Sequence, residues 1–293
     1  MFPHSFSTSQ RYSAKSQISV FDTLFLNCIF SGNGGGLFVN NVGSDLIIKK
    51  CSFICCSSTG NGGGIYCLSN SSEINDCCFS NCVSSLYSSS VCDSNCNYMR
   101  NSLSFGKSSS GSLLFTGKST ACEYTNSSYQ VSSYQMATFY VNAKSFRCSH
   151  STLIHSKDAN GCSFTIHYTQ ESIVDRINLY NISTGNTYSL LFFGHNSRVN
   201  MTDCYLFKGT HPKGFQEYSN SGSQYYQFIR CSVNFPLSDF GSWNKNGSNL
   251  DLSATLVSPV GNSIFDCNEY QNGQTYRITR PNRMLSILIP LIN

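Results

Sequence analysis

Along most of this chain, apolar residues recur two and three positions apart inside a short cassette, and the cassette itself recurs. An apolar residue is followed by two polar ones and then by Cys-x-Phe or a relative of it. The early copies are Phe25-Leu26-Asn27-Cys28-Ile29-Phe30, Ile48-Lys49-Lys50-Cys51-Ser52-Phe53 and Ile74-Asn75-Asp76-Cys77-Cys78-Phe79. Later ones include Phe146-Arg147-Cys148, Val174-Asp175-Arg176-Ile177-Asn178-Leu179, Met201-Thr202-Asp203-Cys204-Tyr205-Leu206 and Phe228-Ile229-Arg230-Cys231-Ser232-Val233. With the cysteine as position zero, the series runs Cys28, Cys51, Cys77, Leu103, Cys122, Cys148, Ile177, Cys204, Cys231 and Cys267. Its steps are 23, 26, 26, 19, 26, 29, 27, 27 and 36 residues. A period in the twenties, held nearly end to end, is the mark of a solenoid.

Position +2 is mostly apolar or aromatic (Phe30, Phe53, Phe79, Phe105, Tyr124, then His150, Leu179, Leu206, Val233 and Glu269), and position +1 mostly polar. That alternation predicts a strand with zero and +2 facing inward. Position −3 is also apolar, which breaks the parity unless a corner lies between −3 and zero, where turn-forming residues such as Asn75-Asp76 and Thr202-Asp203 stand. Each coil therefore reads as strand, tight corner, strand, looser turn. The expectation is all-β: a single-stranded, right-handed parallel β-helix of about ten coils, roughly 45–50 Å long at the usual strand spacing. A β-sandwich is the structural rival. Residues 86–111, 183–186 and 210–224 are rich in Ser, Gly and Asn and are read as loops. Residues 1–17 are read as an N-terminal extension or cap, 18–250 as the β-helix repeats, and 251–293 as a degenerate last coil and C-terminal cap or truncated end.

Composition agrees with strands. Charged residues are 12% of the chain, while 40% is hydrophobic. The net charge of +4 is scattered, without a Lys/Arg run, which argues against nucleic acid as a partner. Sixteen cysteines favour an oxidising compartment. Residues 1–17 have no apolar core of a secretory signal, and the apolar run 284–292 is about half a bilayer span.

Two coils carry Asn33-Gly34-Gly35-Gly36-Leu37-Phe38 and Asn61-Gly62-Gly63-Gly64-Ile65-Tyr66, the first preceded by Phe30-Ser31-Gly32. This resembles the Gly-Gly-aliphatic and Phe-x-x-Asn repeats of the polymorphic outer-membrane protein family of chlamydiae, and the Cys- and Asn-rich surface families of trichomonad parasites. The match covers roughly residues 21–82. The resemblance implies a right-handed β-helix displayed at the cell surface or secreted, with a host-cell surface protein or glycan as partner. The family's signal peptide, full membrane span and autotransporter barrel are not read in these residues, so the expectation is a fragment of a longer surface protein, with retention inside the cell as the alternative.

The chemistry-bearing residues are few. Cysteines at Cys-x3-Cys spacing (Cys51/Cys55, Cys78/Cys82, Cys92/Cys96) have the separation of zinc half-sites. Stacked on adjacent coils they fit buried thiols better, and coil spacing also permits disulfides. No metal and no small-molecule cofactor is expected. For an enzyme of the pectin-lyase type, the candidates are Asp175, Asp203, Arg176 and Arg230, with Arg147, stacked as one outward stripe of corner residues. The bland reading is a solvated ladder in which carboxylates relieve arginine repulsion. The expected function is non-catalytic adhesion or binding through loops and one long face. A carbohydrate-active enzyme and a structural spacer are the alternatives.

Overall fold

The computed structural model describes residues 4–13, 17–132, 139–158, 162–184, 189–194, 197–208, 213–217, 225–233, 249–251, 268–271 and 274–277. Every assigned element among them is a strand. Apart from one antiparallel pair, Asn268–Gln271 with Gln274–Arg277, the strands stack in parallel into a β-solenoid of about seven turns, somewhat fewer than the ten coils expected.

Each coil has one long side and two short ones. The long side holds Leu37–Lys49, Ile65–Asn75, Tyr87–Met99, Gly111–Glu123 and Phe139–Ser149, each paired in parallel with the next. The second side holds three-residue strands such as Ser52–Ile54, Cys78–Ser80, Ser102–Ser104 and Asn126–Ser128. The third holds two-residue strands such as Ser57–Ser58, Val83–Ser84 and Lys107–Ser108. The stretch 86–111, expected to be loop, therefore contains a full long strand. Asn95 and Asn97 alternate there with the inward Cys96 and Tyr98, so period-two burial overrides the loop-like composition.

Two corners bound the short second side, and each turns on a single residue with φ near +50°. The first corner is the series Asp22, Lys50, Asp76, Arg100, Tyr124, His150, Arg176, Asp203 and Arg230. The second is Asn27, Cys55, Asn81, Phe105, Tyr129, His155 and Asn181, each five residues after its partner. From one first corner to the next the chain advances 28, 26, 24, 24, 26, 26, 27 and 27 residues, a tighter spread than the cassette series.

This geometry corrects the register of the cassette. Cys51, Cys77, Ile177, Cys204 and Cys231 do share one stack, immediately after the first corner. Cys28 belongs to the second corner, with Cys56 and Cys82. Leu103 lies in the second side opposite Phe79, while Cys122 and Cys148 lie in the long side, in the file of Ile48, Ile74 and Tyr98. Of the residues expected to face inward at +2, Phe53, Phe79, Leu179 and Leu206 do so. Phe105, Tyr124 and His150 are instead corner residues with outward side chains, Phe105 being 40% exposed.

The core is a set of such files. Phe25, Phe53 and Phe79 stack with ring centroids 4.6 and 5.0 Å apart. Burying each ring stabilises the fold by about 1.5–3 kcal/mol by the usual area scale. The corner cysteines do more than fill space. The Cys77 thiol donates to the carbonyl of Asn75 at 3.2 Å, and Cys51 to that of Lys49 at 3.3 Å. Cys204 does the same to Thr202 at 3.2 Å. At other levels Thr23, Thr125 and Ser151 make this contact with hydroxyls. Asn101 accepts from the Cys77 amide at 2.8 Å and donates to Ile74 at 2.7 Å. The carbonyls of Lys49, Asn75 and Thr202 also accept the backbone amide of the neighbouring coil's corner residue (Asp22 to Lys49, Lys50 to Asn75, Arg176 to Thr202), and the small donor one residue past the corner fills the second acceptor position.

The glycine runs form the remaining turn, where coils approach closely. A Cβ on Gly35 would collide with the carbonyls of Gly63 and Ser57. Gly34 and Gly62 take φ of +75° and +70°.

Candidate functional site

The outward side chains of the first corner form a ladder along the solenoid. Asp76 accepts from Arg100 through both carboxylate oxygens, at 2.5 and 2.9 Å. Tyr124 stacks on His150 at 4.8 Å, and the His150 ring lies 3.0 Å from the Arg176 guanidinium. Arg176 pairs with Asp175 at 3.2 Å, and Asp203 receives both Nε and Nη2 of Arg230 at 2.7 and 2.6 Å. The Arg230 guanidinium, by hydrogen bond, holds the Asp203 carboxyl below its ordinary value despite some desolvation.

Asp175, Arg176, Asp203 and Arg230 are thus neighbours on consecutive coils. They sit on an outward corner, with each carboxylate engaged by an arginine. Arg147 does not join them. It lies in the long side opposite Ala121 and Ile173, 3.6 Å from Glu123, because the true corner residue of its coil is His150.

The second corner carries an aromatic file. Phe105, Tyr129 and His155 stack at successive spacings of 5.1 Å, nearly parallel, and Asn181 extends the file 2.9 Å from His155. Phe105 and Tyr129 are 40% and 48% exposed. Their ring faces are turned along the axis toward each other, so the file offers solvent its edges. Cation and aromatic groups also meet on the long side, where the Arg11 guanidinium lies 3.9 Å from both the Phe30 and Phe38 rings.

A groove of about 480 Å³ runs over the long side where its strands shift register. One row of outward residues there is Asp45, Ser71, Asn95 and Ser119, always five positions before the first corner. A second row is Ile47, Glu73, Asn97 and Ala121. Within the first row Ser71 donates to Asp45 at 2.6 Å, and Asn95 accepts from the Ser119 amide at 3.1 Å. Glu73 pairs with Lys49 at 2.9 Å and accepts from Asn75 at 2.6 Å. The cassette reading missed these rows because it centred on the corner. Their signal is the file of polar residues at a fixed distance before it.

Two of the three Cys-x3-Cys pairs, Cys51/Cys55 and Cys78/Cys82, do not converge as zinc half-sites. Cys51 points inward at the first corner and Cys55 outward at the second. Cys82 is an inward corner thiol, whereas Cys78 is disulfide-bonded. Cys96 is buried in the long side, and the Cys92 side chain lies outside the described residues. No group of three or more His, Cys, Asp or Glu among the described residues could hold a metal ion. Among the described residues thirteen cysteines are free thiols. Burial, reinforced by the neighbouring thiol, pushes the Cys77 and Cys204 thiols well above their ordinary value.

Comparison with known proteins finds no match to a family profile, to a curated protein or to a solved structure. Among the described residues, no helix is long and apolar enough to cross a membrane.

Proposed function

We propose that this chain is a non-catalytic binding scaffold, displayed at a cell surface or secreted, that engages a surface protein or glycan of another cell. The observation that carries the reading is the contrast between its two sides. The interior is a repeated apolar lattice whose backbone bonds run from coil to coil. The exterior differs from level to level, with charged pairs, exposed aromatic edges and a polar groove on a rigid support. Solenoids present extended surfaces of this kind to partners. The resemblance of residues 21–82 to polymorphic surface repeats points the same way.

The carbohydrate-active alternative needs free carboxylates around a cleft, and Asp175 and Asp203 are instead bound to arginines on a corner. The direct test labels intact cells that express the chain with an antibody against it, and measures binding of the purified chain to a second cell type. Surface staining with saturable binding is expected. Exclusively internal staining, or no binding to any cell, overturns the reading.

A further inference from the structure

The groove on the long side has a chemistry specific enough to name its ligand. Its rows follow the coil repeat, so equivalent groups recur about every 4.8 Å along the axis. Asp45 supplies an acceptor, while Asn95, Asn97, Ser71 and Ser119 each carry both donor and acceptor capacity. Ile47 and Ala121 add a narrow apolar strip between them. Among the described lining residues there are two carboxylates and no cation. Lys49, two residues past Ile47 on the same strand, is already engaged by Glu73.

Each class of ligand meets this set differently. A polyanion would face Asp45 and Glu73, with no cation among the described lining residues to neutralise it. An extended peptide binds by adding a strand at an open sheet edge. These strands are already paired with the coils on either side, so the groove floor offers no free ladder. An apolar ligand would leave the amides and hydroxyls unpaired, which costs about 1–3 kcal/mol for each group left buried and unsatisfied. A chain of neutral sugars presents hydroxyls that both donate and accept, together with small apolar ring faces, in a linear repeat.

We propose that this groove binds a neutral, linear glycan lying along the solenoid axis, with about one sugar against each coil. The proposal rests on the binding-scaffold reading and supplies its ligand class. Asp45 and Asn97 fix the sugar hydroxyls from the two rows, and Ser71 and Ser119 continue the contacts along the chain.

The test measures binding of the full chain to immobilised hexasaccharides of glucose, mannose and N-acetylglucosamine, with polygalacturonate as the polyanionic probe. At least one neutral hexasaccharide should bind, and polygalacturonate should not compete. Asp45→Ala should weaken binding about tenfold, as expected for loss of a hydrogen bond to a charged group. Asn97→Trp, which fills the groove from an outward position, should abolish binding. Lys107→Gln, on the third side of the coil, should leave it unchanged.

Circular dichroism and thermal unfolding of each variant separate loss of binding from loss of fold. Failure of every neutral hexasaccharide, preference for polygalacturonate, or binding retained by folded Asn97→Trp overturns the groove. Adhesion of the same variants to cells keeps the two readings apart. Adhesion that persists in Asn97→Trp refutes the groove alone. Wild-type protein that binds glycan but adheres to no cell refutes the adhesive reading alone.

Discussion

Phe53 and Phe105 occupy the same cassette position, yet the fold places them in opposite environments, and truncating each to alanine tests that placement. Phe53 is fully buried, with rings 4.6 Å and 5.0 Å away on both sides. A buried Phe→Ala substitution costs about 3–5 kcal/mol. Phe53 belongs at the upper end, because two stacked contacts of about 0.5–1.5 kcal/mol each are lost with the ring. Phe105 is 40% exposed and has one stacked neighbour, Tyr129. Alanine keeps the same Cβ at the same corner, so little changes besides that contact, and the cost is about 1 kcal/mol. The expected gap between the two variants is therefore about 4 kcal/mol. Urea unfolding followed by far-ultraviolet circular dichroism measures it. Hydrogen exchange adds the local view that a repeat array needs, since such arrays unfold in parts. In Phe53→Ala the amides of 52–54 and of the strands on either side should lose protection first. Costs equal within about 1 kcal/mol would refute the register assigned here and restore a common inward file.

Gly35→Ala should destabilise the protein by about 1–3 kcal/mol through overpacking, since its Cβ meets the Gly63 and Ser57 carbonyls. Gly43→Ala should be near neutral, because nothing lies within 4 Å of a Cβ there, and paired thermal melts decide between the two outcomes. The Asp203 carboxyl is depressed by Arg230, so its contribution is present above the unfolded carboxylate range and is lost as pH falls through the folded value. Arg230→Gln should raise that titration toward the ordinary range, visible by NMR. The loss of stability at neutral pH should stay below about 1 kcal/mol because the pair is half-exposed on its arginine side. A thiol reagent at pH 8 should leave Cys77 and Cys204 unmodified in the native protein and modify them in urea. Rapid native labelling of either would contradict the burial that raises them.

The period, the all-β class and the inward files around Cys51, Cys77, Cys204 and Cys231 were legible in the sequence, because there the cassette coincides with a true coil frame. The register between coils was not. Coils turn on two single left-handed residues, most of them followed by a small donor, so Leu26-Asn27-Cys28 and Lys49-Lys50-Cys51 look alike while lying at different corners. The distinguishing signal was the spacing of five: Cys51 with Cys56, and Cys77 with Cys82, place two corner donors in one coil. At Cys122 and Cys148 the misreading has another cause. Both are buried in the long side, and a cysteine there packs as any small apolar group would. The candidate stripe was half legible: Asp175, Arg176, Asp203 and Arg230 came together, whereas Arg147 was displaced by His150. The groove rows were hidden because Ser and Asn at outward strand positions resemble loop residues until the strand is fixed.

The corners bear on function through their energetics. A left-handed residue with a side chain costs roughly 1–2 kcal/mol, and Asn or Asp lowers that cost by bonding locally. Asp22, Asn27, Asp76, Asn81, Asn181 and Asp203 fit that rule. The middle coils do not: they place Phe105, Tyr124, Tyr129, His150 and His155 at the same turn. Their cross-coil stacks return about 0.5–1.5 kcal/mol per pair, which offsets the strain without exceeding it. Glycine would relieve the strain fully at any of these positions, and none carries glycine. The turn therefore does not select the aromatic rings, and neither does the core, since they point away from it. What they determine is the surface of the solenoid's middle: a row of ring edges at the second corner and a Tyr-His-Arg ladder at the first, both held in place by the backbone behind them. Substituting all five by asparagine should leave the solenoid folded at nearly unchanged stability while removing that surface. A folded variant that adheres to cells as well as wild type would show that the partner reads a different face, and the groove is then where to look.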